Sequence, residues 1–459
     1  MGLKKDLIRV AVSNFIVLIS SVVNGLVLPY ILSIEDFAQV KTYTLYASFI
    51  GLLHFGFVDG LNIKYGGYAK ETVDKKEFNG YHNFFLSFQL LLVVVVVIAG
   101  FVLNNDILLL ISLAILPINL QSFFLYYYQA IAQFKEYSIT TIIVPLASII
   151  ITLSLMLLGV KDYRFYVLAS ICGYIISVVF LEYKYGRSTK YNLSISLKSI
   201  PINAKLFKLV FFSGFYIMLG NLLFTLFFDS GRWISKIFTG DINFAIYSLG
   251  VSLIGFVMVF IGAINKTFYP HLYNNHSKEV VRNIKIILFI ISSFTLVGYF
   301  FLETIVTSFL PKYIDALPVT AILMASLPGM VVIKSIYVNL YKIKKIEKKF
   351  LRDTFVYLAI ALSLSLSIYF YFKSLESIAV ASVISIYIWT MLPISCQPFV
   401  LKEFLKDALY FSLMFTLFWY AYNAEYNNAI RIVCCAIGIL LLNIFFYKKH
   451  VLNLIKRRV

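Results

Sequence analysis

Apolar stretches of about twenty residues follow one another along almost the whole chain, each closed by a short polar interruption. About 20 apolar residues cover a hydrocarbon core of roughly 30 Å. A backbone crossing such a core must satisfy its own N–H and C=O groups, so the pattern calls for a helical bundle. Fourteen segments qualify, at 8–32, 38–60, 83–103, 107–128, 139–158, 163–183, 208–230, 243–265, 284–308, 317–341, 353–372, 377–398, 404–422 and 428–446. The predicted fold class is all-α: a polytopic membrane bundle of about 14 transmembrane helices, with no room between them for a soluble domain. Composition agrees, with 61% hydrophobic and 14% charged residues and a mean hydropathy of +0.87.

The basic residues alternate with these spans. With a cytoplasmic N-terminus, 31 of the 40 Lys and Arg residues fall on the cytoplasmic side, including the run Lys342, Lys344, Lys345, Lys348, Lys349 and Arg352. Eight fall toward the other side, among them Lys41, Arg232 and Arg431, and Lys334 alone sits well within a span. The positive-inside rule then expects both termini in the cytoplasm and a multi-pass protein of the inner, cytoplasmic membrane. The net charge of +18 does not point to nucleic acid. It is spread over loops facing anionic membrane lipids, and no soluble module presents a basic face.

The first apolar segment is longer than a secretory-signal core and is expected to stay as the first helix. Cys172, Cys396, Cys434 and Cys435 lack disulfide or metal spacing, and His54, His82, His271, His276 and His450 are scattered. The longest outer connection has about a dozen residues, and no HExxH, GxSxG, P-loop or paired-carboxylate motif occurs. No catalytic residue, metal site or cofactor is expected. The chain reads as a carrier rather than an enzyme.

Two stretches, about 8–70 and 205–275, look like copies. Each opens on a span with small and amide residues: Ser13, Asn14 and Asn24, then Ser213, Gly214, Gly220 and Asn221. Each passes through a matching phrase, Asp36-Phe37-Ala38 against Asn243-Phe244-Ala245, into a second span and a Tyr-rich stretch. Six spans precede the second copy, so the repeat is parallel and its pseudo-two-fold runs along the membrane normal, a transporter plan with an axial cleft.

The phrase Phe228-Asp229-Ser230-Gly231-Arg232-Trp233-Ile234, then Phe238-Thr239-Gly240, Ala245-Ile246-Tyr247 and Tyr269-Pro270, resembles the polysaccharide-export branch of the multidrug/oligosaccharidyl-lipid/polysaccharide flippases. Leu28-Pro29-Tyr30-Ile31-Leu32 and Phe55-Gly56-Phe57-Val58-Asp59-Gly60-Leu61 fit the same branch. The resemblance implies two six-helix lobes, at 1–183 and 208–398, joined by a cytoplasmic linker at 184–207. Residues 399–459 would then add two helices and a basic tail. It also implies translocation of an undecaprenyl-diphosphate-linked oligosaccharide, such as an O-antigen or capsule repeat unit, to the outer leaflet. Polysaccharide polymerase or assembly partners are implied with it, and the coupling ion is left open.

A diphosphate needs cations, and Arg can grip it bidentately while Lys serves as a mobile charge. An ionisable group inside a span is costly, and so marks function or pairing. Lys334, below Pro328-Gly329, either faces the cleft or snorkels to headgroups or a carboxylate of the adjoining lobe. Asp229 and Arg232 share a helix face, as a helix-end ion pair or as an outer phosphate gate. Lys41 is their counterpart in the first lobe or a headgroup anchor. The 207-residue offset between the repeats sets Asp59 opposite Lys266, an expected cytoplasmic gate pair. Asn14, Ser21 and Asn24 form one polar stripe that lines a sugar path or bonds neighbouring helices. Asn221 and Tyr247 join the substrate-binding set through the repeat and the family phrase.

Three rivals differ in their expected marks. A multidrug or small-cation exporter would favour carboxylates in the cleft, whereas the candidate charges here are mainly basic. A peptidoglycan-precursor flippase would carry an Arg in its first helix, and none lies between Val10 and Leu32. An intramembrane polymerase would show a large outer loop.

Overall fold

The structure is a computed structural model describing residues 12–13, 15–68, 70–189, 204–396 and 400–455. Within these, the side chains of some residues, 259–271 among them, lie outside the described set. The described residues form sixteen helices and no strand: α1 Phe15–Ile31, α2 Ile34–His54, α3 Phe57–Tyr65, α4 Lys75–Val102, α5 Asp106–Ala130, α6 Phe134–Leu157, α7 Tyr163–Thr189, α8 Ala204–Phe238, α9 Asp241–Asn274, α10 Lys278–Phe309, α11 Ala316–Met324, α12 Leu327–Ile343, α13 Glu347–Phe372, α14 Leu375–Met391, α15 Leu401–Asn423 and α16 Asn428–Ile455. The pairs α2–α3 and α11–α12 are single elements bent by 56° and 49°. Taken so, they leave fourteen elements in the order the hydropathy predicts.

The helix ends follow from local chemistry. Asp74 and Asn105 accept the first free N–H groups of α4 and α5, at 2.9 Å from Lys76 N and 3.1 Å from Leu108 N. Ser33, Ser277 and Ser374 cap α2, α10 and α14 in the same way. Long faces of Val, Ile, Leu and Phe remain exposed, as at Val94, Val95, Ile98 and Phe101 on α4 and Leu441 and Phe445 on α16. Such faces suit hydrocarbon, not water. The protein is a multi-pass, all-α membrane bundle.

Irregular turns sit where the sequence carries small or cyclic residues. Pro29 lacks an N–H, and just before it the chain widens into a π turn at Val23–Val27, with Leu28 N–H donating to Val23 C=O. A second π turn, Ile333–Tyr337, carries Lys334. Between α2 and α3, Phe55 and Gly56 both take left-handed backbone, at φ 48° and 80°.

The chain divides into two compact units, Met1–Leu222 and Leu223–Val459, so α8 contributes to both. Of the expected 184–207 linker, residues 190–203 lie outside the described residues. The first unit packs an aromatic core that includes Phe57, Tyr65, Phe78, Phe123 and Tyr127. Against it, α3 meets α8 through glycines: a Cβ on Gly214 would lie 1.8 Å from Gly56 O, and one on Gly60 would lie 1.9 Å from Val210 O. Small residues four apart allow this backbone approach.

In the second unit a polar seam fastens the terminal hairpin α15–α16 to α10. Arg282 pairs with Glu403 at 3.1 Å and Lys285 with Asp407 at 2.6 Å. Further along, Asn443 donates to Ser293 Oγ at 3.0 Å and accepts from Tyr410 at 2.8 Å. Arg431 then reaches Glu303 at 2.9 Å. Lys285 is nearly buried in this seam.

Candidate functional site

The second unit brings together three of the six charged residues singled out by sequence, Asp229, Arg232 and Lys334. Asp229 and Arg232 lie three apart on α8, and Arg232 Nη1 donates to Asp229 Oδ1 at 3.3 Å. Both side chains are mostly buried, at 18% and 13% exposure. Arg232 stands six residues before the end of α8 at Phe238, roughly 9 Å along the axis.

Lys334 approaches the same stretch from α12. Its ammonium lies 4.6 Å from the centroid of the Phe228 ring, and Asp229 is the acidic group whose field acts on it. A cation over a desolvated aromatic face gains about 2 kcal/mol. Phe228 is braced by Phe224 at 4.9 Å and Phe227 at 5.1 Å, and Phe227 packs on Trp389 at 4.8 Å. Ser335 Oγ, next to Lys334, and Trp389 Nε1 are buried polar atoms with no hydrogen-bond partner among the described residues.

Tyr247, buried on α9, closes the group. Its hydroxyl lies 3.3 Å from Ser382 Oγ on α14 and feels the charges of Arg232 and Asp229. Gly231 lets it approach: a Cβ there would stand 2.1 Å from that hydroxyl. The two family phrases around Gly231 and Tyr247 thus meet in space.

Residues of the first unit form no such group among the described contacts. Ser21 donates to Val17 O at 3.0 Å and Asn24 to Ser20 O at 2.9 Å, so the stripe on α1 spends these groups within its own helix. Asn14 lies outside the described residues. Lys41 is buried at 7% exposure, its ammonium 4.8 Å from the Phe37 ring centroid. Asn221 is exposed on α8. Asp59 Oδ2 lies 3.7 Å from His54 Nε2 across the α2–α3 break, and the side chain of Lys266 lies outside the described residues.

Sequence reasoning missed His54, Phe228, Gly231 and Ser382. It also treated the histidines as scattered, whereas His82 meets Glu182 at 2.7 Å in the first unit. Gly231 had a signal, its place beside two charges. Ser382 had none. Among the described residues no cluster of His, Cys, Asp or Glu could hold a metal ion.

No known family profile matches the sequence, and no curated protein matches it. Solved structures do. The chain is similar to a structure titled lipid II flippase MurJ, inward closed conformation, with 15% identity, TM-score 0.69, and 97% of this chain and 99% of that chain covered. It is also similar to an inward-facing multidrug resistance MATE family transporter of the MOP superfamily, with 11% identity, TM-score 0.57, and coverage of 89% and 98%. A third is a MATE transporter in the straight conformation, with 12% identity, TM-score 0.52, and coverage of 90% and 96%. At these identities the likeness establishes one thing: the chain has the fold of MurJ and the MATE transporters.

Proposed function

We propose that this protein is a flippase that carries an oligosaccharide linked to a polyprenyl diphosphate, such as a surface-polysaccharide repeat unit, from the cytoplasmic to the outer leaflet. The observation that carries the reading is the second unit's charge set: Arg232 and Lys334 within membrane-spanning helices, with Asp229 as the acid that acts on both. Two cations against one carboxylate leave net positive charge, which suits a diphosphate and repels a cationic drug. Arg232 grips phosphate, Lys334 follows it as a mobile charge, and Tyr247 with Ser382 holds α9 and α14 at the same level. The prenyl chain stays in lipid and no bond is made or broken. In this reading the protein works in the inner membrane, with both termini cytoplasmic and with polymerase or assembly proteins downstream; no coupling ion is assigned.

The multidrug reading draws on the MATE likeness of fold, but the cationic site disfavours it. Mass spectrometry of polyprenyl-linked lipids from a deletion strain and its complemented parent decides between them. Accumulation of a diphosphate-linked oligosaccharide, cleared by the intact gene, supports the flippase. An unchanged lipid pool in a host that makes a surface glycan overturns it.

A further inference from the structure

The terminal hairpin is fastened to α10 by the polar seam, and its first helix, α15, also borders an apolar cavity of about 440 Å³ against α11 and α14. That volume lies within the roughly 300–1,000 Å³ of ligand pockets. Ile322, Val383, Ile384, Ile388, Phe411 and Phe415 make up much of its wall, and no charged residue lines it. Tyr387 also faces it but donates its hydroxyl to Ala325 O at the α11–α12 bend, so what it offers the cavity is its ring.

One end of the cavity differs from the rest. Met391, Leu392 and Phe404 line it there, at the close of α14 and the start of α15. Three and four residues past Leu392, Arg352 donates to Ser395 Oγ at 2.7 Å and Lys344 to Cys396 O at 2.8 Å. Lys402, exposed, precedes Phe404 by two residues. This is the face that the Lys and Arg distribution assigns to the cytoplasm.

We propose that this cavity is a binding site for an anionic phospholipid of the cytoplasmic leaflet, its acyl chain between α14 and α15 and its phosphate at Lys344, Arg352 and Lys402. A lipid tail leaving bilayer for an apolar protein groove gains little, because its surroundings hardly change. Selectivity must therefore come from the mouth, where Lys344, Arg352 and Lys402 outnumber the acids: Arg352 also donates to Asp353 at 2.8 Å, and Glu403 is engaged by Arg282 at 3.1 Å. Exposed Leu392, Ile394 and Leu401 beside those cations set the mouth at the headgroup boundary, within reach of a phosphate. The site is separate from the Asp229–Arg232–Lys334 group and does not depend on its role.

The test is native mass spectrometry and thermal unfolding of delipidated full-length protein, titrated with dioleoylphosphatidylglycerol, dioleoylphosphatidylcholine or undecaprenyl phosphate. One phosphatidylglycerol is expected to be retained and to stabilise the fold, at least ~10-fold tighter than phosphatidylcholine. The exposed pair Lys344→Gln and Lys402→Gln should erase that preference, and Ala408→Trp should block retention of either phospholipid. Equal response to the two phospholipids overturns the proposal, as does a double Gln variant that keeps the preference. Tighter binding of undecaprenyl phosphate than of phosphatidylglycerol also overturns it, by giving the cavity to an isoprenoid.

Discussion

The hydroxyl of Tyr247 occupies the space in which a side chain on Gly231 would begin, 2.1 Å from the position of its Cβ. Ser382 Oγ stands 2.8 Å from the same point, so three helices meet on one missing methyl group. Gly231→Ala should overpack this junction and cost about 1–3 kcal/mol. Tyr247→Phe removes the atom in the way, so Gly231→Ala with Tyr247→Phe should lose less than the sum of the single variants. Thermal unfolding in detergent measures the cycle, and strict additivity would refute the contact.

Gly214 allows no such relief. Its absent Cβ would stand 1.8 Å from a backbone oxygen, Gly56 O, rather than from a side-chain tip. Backbone cannot rotate away, so Gly214→Ala should separate α8 from α3 and cost more than Gly231→Ala. Gly255 is the control, because a methyl group there would meet nothing within 4 Å. Gly255→Ala should be neutral or mildly stabilising, by up to about 1 kcal/mol of helix propensity. Unfolding midpoints of the three variants test the order.

The seam between α10 and the terminal hairpin rests on Lys285 and Asp407, side chains that are only 13% and 11% exposed. Removing either partner leaves a nearly buried charge, at a cost of about 3–5 kcal/mol. Lys285→Met with Asp407→Leu removes both charges and should recover most of that loss. Limited proteolysis and unfolding temperature read the effect. If the single variants are as stable as the parent, the seam does not hold the hairpin.

How far the sequence reaches is visible in these particulars. Fourteen apolar segments predict the fourteen elements because length and hydropathy are local properties, and the three-residue spacing of Asp229 and Arg232 predicts their pairing because a helix imposes it. The close approach at the Phe55-Gly56 bend was not legible: Gly214, which stands against Gly56, lies on a helix far away in sequence. The pairing of Lys285 with Asp407 was not legible either, because loop counting records sign and position, not which neighbour a long side chain finds. Ser382 carries no pattern at all, since its role exists only when α14 lies against α9.

Lys334 and Arg431 are both cations largely removed from water, and their surroundings predict opposite consequences of losing them. Arg431 donates to Glu303, Asn428, Ala421 O and Tyr422 O, a set that fills its guanidinium with fixed partners. Lys334 lays its ammonium over the Phe228 ring, an attraction a phosphate oxygen can outcompete. Arg431→Gln should therefore lower stability by about 3–5 kcal/mol, since Glu303 is left without its guanidinium. Its effect on transport should follow the amount of folded protein. Lys334→Gln should unfold within about 2 kcal/mol of the parent, the scale of a desolvated cation–π contact, yet cut transport at least ~10-fold. Unfolding temperature and the pool of diphosphate-linked oligosaccharide, measured side by side in complemented strains, separate the two. Full transport with Lys334→Gln would remove Lys334 from the substrate path.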